Sequence, residues 1–230
     1  MKGLLTPAEF AVKAHLEFRR LVMRPDFSCL GAKAAFNENA YDFAVFGEMA
    51  TKRATARLSE KLFDFTRSPI MNENEFSSFV AVFQGPLDLT EREFETCLWL
   101  QLRQLHDADR YDWDPRVSSD PNDPHFSFSF ARQAFYVIGM HAHSSRDARR
   151  FPWPTLVFNP HEQFEKLRTD KKWKRMQDAI RKRELALQGS INPMLSDFGE
   201  ESEARQYSGR AVSEDWKTPI PVAAECPFEH

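Results

Sequence analysis

Apolar residues recur along the first part of the chain at helical spacing. Phe10, Ala14, Phe18 and Leu21 lie on one face of a helix predicted over 7–23. Pro7, followed by Ala8 and Glu9, suits its first turn. Asp26-Phe27-Ser28-Cys29-Leu30-Gly31 breaks the pattern, and Leu58, Leu62 and Phe65 predict a second helix over roughly 49–65. Phe79-Val80-Ala81-Val82-Phe83 is a short unbroken apolar run, stopped by Gln84-Gly85-Pro86, and reads as a buried strand. Thr90 with Glu93 three positions on forms a capping box. It opens a helix whose inner face is Phe94, Leu98, Gln101 and Leu105, widened by Cys97 and Leu102.

The period then changes. Residues 112–124 hold repeated Asp-Pro steps, which are turn or loop. In His125-Phe126-Ser127-Phe128-Ser129-Phe130 polar and aromatic residues alternate, so Phe126, Phe128 and Phe130 share one face of a strand. Ala134–Gly139 is a second strand, hairpin-linked through Ala131-Arg132-Gln133, and Thr155–Phe158 a third, closed by Asn159-Pro160. A long helix is predicted from about Glu162 to Leu187, and 188–230 reads as an extended segment that wraps the domain. Long helices beside short, hairpin-linked strands predict a single α+β domain over 1–230 with a largely antiparallel sheet.

Composition narrows the class. The chain has 230 residues, 42% hydrophobic and 13% aromatic with 21 Phe, enough for a packed core. A formal net charge of −3 does not suggest a basic nucleic-acid binder. No apolar run approaches the ~18 residues of a membrane span, and Met1–Pro7 lacks the apolar stretch of a signal peptide. Three separated cysteines, Cys29, Cys97 and Cys226, give neither a disulfide framework nor a Cys-x-x-Cys zinc site. The expectation is a reduced, cytoplasmic protein.

Several groups could carry chemistry. His141 and His143, two apart at a strand end, suit a metal if the strand continues, and otherwise are surface residues. His161 follows a buried strand and a proline where the long helix begins, so its ring is rigidly placed. Arg146, Arg149 and Arg150 cluster in the intervening loop, and arginine forks suit carboxylates or phosphates. Asp120, Asp123 and His125 could ligate iron, or the aspartates could serve their turns. Cys29 is a thiolate candidate or a buried inert thiol. Residues 166–183 form the one basic stripe, either a solvated helix face or a docking surface. With only 8 Gly and no phosphate loop or dinucleotide fingerprint, glycine-rich cofactor loops are not expected.

Four segments together carry more information than any spacing. They are Ser118-Ser-Asp-Pro-Asn-Asp-Pro-His-Phe-Ser-Phe-Ser-Phe130; Gly139-Met-His141 with Ser145-Arg-Asp-Ala-Arg-Arg-Phe-Pro152; Leu156-Val-Phe-Asn-Pro-His-Glu-Gln-Phe-Glu-Lys-Leu-Arg168; and the run from Gly189 to Arg210 that contains Ser202-Glu-Ala-Arg-Gln-Tyr-Ser-Gly-Arg210. In these the chain resembles the YqcI/YcgG family, whose relatives include GntA-type and DcsA-type haem-dependent N-hydroxylases. The resemblance runs from about Asp26 to Phe228; Cys226-Pro227-Phe228 resembles the family's ending, and Glu229-His230 a foreign tail.

The resemblance implies a haem b enzyme that takes O₂ or peroxide and an electron donor and hydroxylates a guanidino or amine nitrogen of L-arginine or a related small molecule. It implies an axial ligand, for which His161 is the first candidate, with His141 and Cys29 in reserve. Arg146, Arg149 and Arg150 would meet the propionates, and Phe126, Phe128 and Phe130 would wall the porphyrin. His141 and His125 are the candidate catalytic imidazoles. Glu203 would meet the guanidinium, with Asp120 or Asp123 as alternatives, and Arg205 or Tyr207 the substrate carboxylate. A haem sensor or carrier without turnover, and a non-haem iron oxygenase using Asp120, His125 and His141, are the rival readings. No nucleic-acid or membrane partner is expected; a homodimer is compatible with the long amphipathic helix.

Overall fold

Helix α1 (Pro7–Met23) starts at a complete capping box, in which the Thr6 hydroxyl accepts from the Glu9 N–H and the Glu9 carboxylate accepts from the Thr6 N–H. Phe10, Ala14, Phe18 and Leu21 are all buried, as their spacing requires. In this computed structural model the described residues are 6–169, 173–192, 194, 198–220 and 222. The expectations on the N-terminal five residues, on Cys226–Phe228 and on Glu229-His230 lie outside them.

After α1 come α2 (Leu30–Asn37), β1 (Tyr41–Glu48), α3 (Lys52–Thr66), α4 (Pro69–Glu73), β2 (Ser78–Gly85) and α5 (Glu91–Ala108). The second half supplies β3 (Phe128–Phe130), β4 (Gln133–Met140), β5 (Thr155–Pro160), α6 (His161–Thr169) and α7 (Trp173–Gln188). The five strands form one sheet in the order β1-β2-β5-β4-β3. Only β1 and β2 run parallel, joined through α3 and α4; the other pairs are antiparallel. The fold is α+β, with the largely antiparallel sheet that the hairpin-like links predict. The apolar-run reading passes over α2, β1 and α4. The 162–187 helix is represented by α6 and α7, with 170–172 outside the described residues. The β3–β4 link is a two-residue turn, Ala131 and Arg132, both at positive φ (52° and 60°), the geometry that suits the twist of a tight hairpin.

Strand alternation divides the interior into two cores. Phe79, Ala81 and Phe83 of β2, Leu156 and Phe158 of β5, and Phe135 and Val137 of β4 face α3 and α5, where Leu58, Leu62, Phe94, Leu98 and Trp99 are completely buried. Val80, Val82, Val157 and Met140 point the other way, onto Phe10, Phe18 and Phe36 of α1 and α2. Each fully buried Leu or Phe contributes about 1.5–3 kcal/mol, so both faces matter to stability.

Beyond the short β3, the β4 edge is covered by the C-terminal strap, which donates no strand but fills the same role. The Gly139 N–H donates to the Tyr207 carbonyl at 2.7 Å, satisfying an edge that would otherwise be open. A Cβ on Gly139 would lie 2.7–2.8 Å from Leu98, Phe94 and the Tyr207 carbonyl, so only glycine permits this approach. The Tyr207 ring is buried against Trp99 at 5.6 Å between centroids. Arg210 pairs with Glu95 of α5 at 2.6 Å. The expected wrapping segment is a strap that is mostly buried from 202 to 209 and largely exposed or half-exposed over 211–220.

Candidate functional site

A cavity of about 250 Å³ lies on the α1–α2 face of the sheet, close to the lower end of the usual range for small-molecule sites. Its floor is the even-numbered set of β4, Tyr136, Ile138 and Met140, with Val157 and Asn159 of β5. Phe18 and Val22 of α1 and Phe36 of α2 form one wall; α7 and the strap form the other. One strand thus packs Phe135 and Val137 into the core and turns Tyr136 and Ile138 to the cavity, the period-two rule applied to both faces.

His161 lies at the β5–α6 junction and is 8% exposed. Its Nε2 is 3.3 Å from the Glu165 carboxylate and its Nδ1 4.0 Å from Glu203. Nδ1 has no hydrogen-bond partner among the described residues. Burial holds the imidazole below its ordinary pKa, with Glu165 opposing, so the neutral ring that a metal ligand must present is favoured.

Glu203 comes from the strap, in a 3₁₀ turn (Glu203–Gln206) capped by the Ser202 hydroxyl. It is 5% exposed. Its Oε1 accepts from the Tyr207 hydroxyl at 2.6 Å and from the Ser127 hydroxyl at 2.8 Å. Burial pushes its pKa up to about 8, against the lowering effect of those two donors. At neutral pH it is a carboxylic acid held beside an imidazole.

The three loop arginines separate. Arg146 lines the cavity but is neutralised by Glu184 of α7 at 2.9 Å and donates to Ser190. Arg149 also lines the cavity, buried, with its Nη1 donating to the Tyr207 carbonyl at 2.9 Å. Arg150 points to solvent, paired with Asp147 at 3.0 Å, and takes no part. Cys29 lines the rim of the cavity, where its sulfur caps α2 by accepting from the Ala32 N–H.

Other expected site residues lie elsewhere. Phe126, Phe128 and Phe130 are completely or almost completely buried in the α3–α5 core, on the opposite face from the cavity. The register Phe128↔Phe135 fixes this, because directly paired residues point to the same face. They do not wall the cavity; Tyr136, Ile138 and Met140 do. His141 is 2% exposed and stacks on Phe94 at 4.4 Å, also away from the cavity, with both ring nitrogens unpartnered among the described residues. The strand does not continue past it, and His143 turns out to the Leu89 carbonyl at 3.1 Å. His125 is exposed beside Asp123 at 3.3 Å. Asp120 accepts from the Asn122 N–H, an ordinary turn contact. Asp120, His125 and His141 are not brought together, and no group of three or more His, Cys, Asp or Glu among the described residues is placed to hold a metal ion, so the non-haem iron reading loses its ligand set.

Arg205 reaches out along the strap to the Ser213 and Glu214 carbonyls, and Tyr207 is spent in the core; neither lines the cavity. Within the basic stripe, Lys166 pairs with Glu162 and Lys174 with Asp178, while Arg168 and Arg181 edge the cavity. Residues that the linear reading passes over are Tyr136, whose hydroxyl donates to Gln206 at 2.7 Å, Asn159, which accepts from the Ser78 hydroxyl, and Glu184. Tyr136 was detectable as the polar-tipped position in an otherwise apolar strand, and Glu184 as an acid within a basic helix. Nothing local marks Gln206.

The model of the YqcI/YcgG family matches residues 18–221, and every residue that lines the cavity falls inside that range. Two similar proteins are the uncharacterized YcgG and YqcI of Bacillus subtilis strain 168. YcgG is 25% identical over 211 residues, covering 89% of this chain and 81% of its own length. YqcI is 26% identical over 212 residues, covering 88% and 80%. No solved structure matches. Since the match takes in the sheet, the cavity and the strap that completes it, this chain belongs to the YqcI/YcgG family.

Proposed function

We propose that the cavity seats haem b and that the chain is a monooxygenase hydroxylating a guanidino nitrogen of L-arginine or an arginine-derived small molecule. The observation that carries this reading is His161: a buried imidazole at a rigid junction, its Nδ1 unpartnered, facing an apolar cavity edged by buried Arg146 and Arg149. An axial imidazole, apolar ring contacts and cations for an acidic edge are the needs of a haem, and the residues present fit them. His141 cannot serve this cavity from the far face of the sheet; Cys29 at the rim remains the rival donor. When bound, the haem supplies activated oxygen, from O₂ with an electron donor or from peroxide.

The chain's own residues then have distinct tasks. His161 presents a neutral nitrogen, and its second nitrogen leans on a carboxyl group, the outer-shell arrangement that fixes ring orientation in ligating histidines. Glu203 holds a proton at neutral pH and releases it when a guanidinium comes alongside, because an adjacent cation favours the carboxylate. The Tyr207 and Ser127 hydroxyls keep its Oε1 in place. Phe18, Val22, Ile138 and Met140 exclude water from the reacting nitrogen.

The test is an absorption spectrum of haem-reconstituted protein followed by product analysis. A Soret band of the imidazole-ligated type, lost in His161→Ala, is expected, with hydroxyarginine formed when arginine, oxygen and a reductant are added. A strongly red-shifted reduced carbon monoxide band would transfer the ligand to Cys29. Haem binding without product would reduce the protein to a carrier or sensor, and full haem retention in His161→Ala with an unchanged spectrum would refute the ligand.

A further inference from the structure

We infer that Arg149 is the anion-recognition residue of the cavity, pairing with a carboxylate carried by the ligand. This rests on the cavity being the ligand site, but not on haem being its occupant. The sequence groups Arg146, Arg149 and Arg150 as equals; their surroundings do not. Arg146 has Glu184 at 2.9 Å and both oxygens of Ser190. Arg150 is exposed, pairs with Asp147 and donates to the Ser144 carbonyl. Arg149 is 7% exposed, and among the described residues it has no carboxylate partner. Its side chain donates to a neutral oxygen, the Tyr207 carbonyl at 2.9 Å, and the uncharged Tyr136 hydroxyl is a polar neighbour.

A guanidinium stays charged at any ordinary pH, and burying it without a counter-charge is costly. The fold nevertheless constructs this position. Gly209, at φ 83°, has the Arg149 Cδ only 2.6 Å from where a Cβ would stand, so the strap gives up a side chain to let the arginine stem pass. The Gln206 side-chain amide oxygen accepts from the Tyr136 hydroxyl, so that hydroxyl's own proton is engaged and its oxygen can only accept from the guanidinium. Glu184 acts on Arg149 at a distance but is bonded to Arg146. A fork with five donors, its nearest oxygens neutral, thus faces an apolar cavity and lacks one bidentate acceptor; a carboxylate has that shape.

Two ligands could bring the carboxylate, the acidic edge of a porphyrin or the amino-acid end of a substrate, and paired probes separate them. Haem is compared with its dimethyl ester by quenching of tryptophan fluorescence, and L-arginine with agmatine, which keeps the guanidine and lacks the carboxylate, by calorimetry. In the wild-type chain at least one carboxylate-bearing member should bind roughly 10- to 100-fold tighter than its partner, the scale of a charge-assisted pair. A difference within the haem pair names the prosthetic edge, and one within the arginine pair names the substrate. Arg149→Met should bring that ratio to near one, Arg149→Lys should lower it severalfold if the Met variant does not fold, and Arg150→Ala should leave it unchanged.

Ratios near one for both pairs in wild-type protein would overturn the inference. So would a ratio that survives in folded Arg149→Met. If both haem and its ester bind while the ratios are flat, only the Arg149 assignment falls. If neither porphyrin binds but arginine exceeds agmatine, the haem reading falls and Arg149 stands. Failure of all four probes to bind removes both.

Discussion

Glu203 makes the stability of this protein depend on pH in a direction opposite to that of most carboxylates. Its acid is buried, with a pKa raised from an ordinary 4.5 to about 8. A group whose pKa is higher in the folded state favours folding while protonated; that contribution is complete below about pH 4.5 and is lost as pH rises toward 8. Each pKa unit corresponds to about 1.4 kcal/mol, so the loss over the whole interval is on the order of 5 kcal/mol, flattening above about pH 8. Glu203→Gln keeps the oxygen that Tyr207 and Ser127 address at 2.6 and 2.8 Å and cannot ionise. Urea unfolding of ligand-free protein between pH 5 and 9 reads the effect. The wild type should lose stability steadily relative to Glu203→Gln and level off above about 8, with the two proteins nearest in stability at the acid end. Parallel pH profiles for the two proteins would show that Glu203 is ionised throughout and would refute the buried-acid argument.

Tyr207→Phe removes the hydroxyl that accepts from the buried Phe128 N–H at 3.0 Å and donates to Glu203; a loss of about 2–4 kcal/mol in urea unfolding is expected, and a change below about 0.5 would show that water replaces it freely. Gly139→Ala puts a methyl against Leu98, Phe94 and the Tyr207 carbonyl, and should cost at least ~2 kcal/mol and loosen the strap, seen as faster amide exchange at Tyr207 and Gly139; wild-type exchange and stability would contradict the close approach. His141, depressed to about 4 by burial, favours folding while neutral, so this contribution is lost as pH falls from about 6.5 toward 4, by roughly 1.4 kcal/mol per unit. His141→Phe, which keeps the stack on Phe94, should flatten that acid limb; an unaltered limb would assign it to other groups.

Periodicity and capping are local properties, and what they determine here was readable in the linear chain. The first helix, the Thr90–Glu93 start of α5, the β2 run, the β3–β4 hairpin and the His161 junction follow from patterns confined to a few turns or one strand. The α+β class follows from their order. Only the tertiary structure decided which sheet face carries the cavity, because register is set by pairing between distant strands: Phe126, Phe128 and Phe130 share one face, as alternation demands, but Phe128↔Phe135 turns that face to the α3–α5 core. Only the strap brings Glu203 to His161 and Gln206 to Tyr136, and only the packing of Glu184 against Arg146 distinguishes that arginine from its neighbour Arg149. Sequence spacing states what each residue can do chemically; burial and long-range neighbours decide which of those capacities is already satisfied and which is left for a ligand.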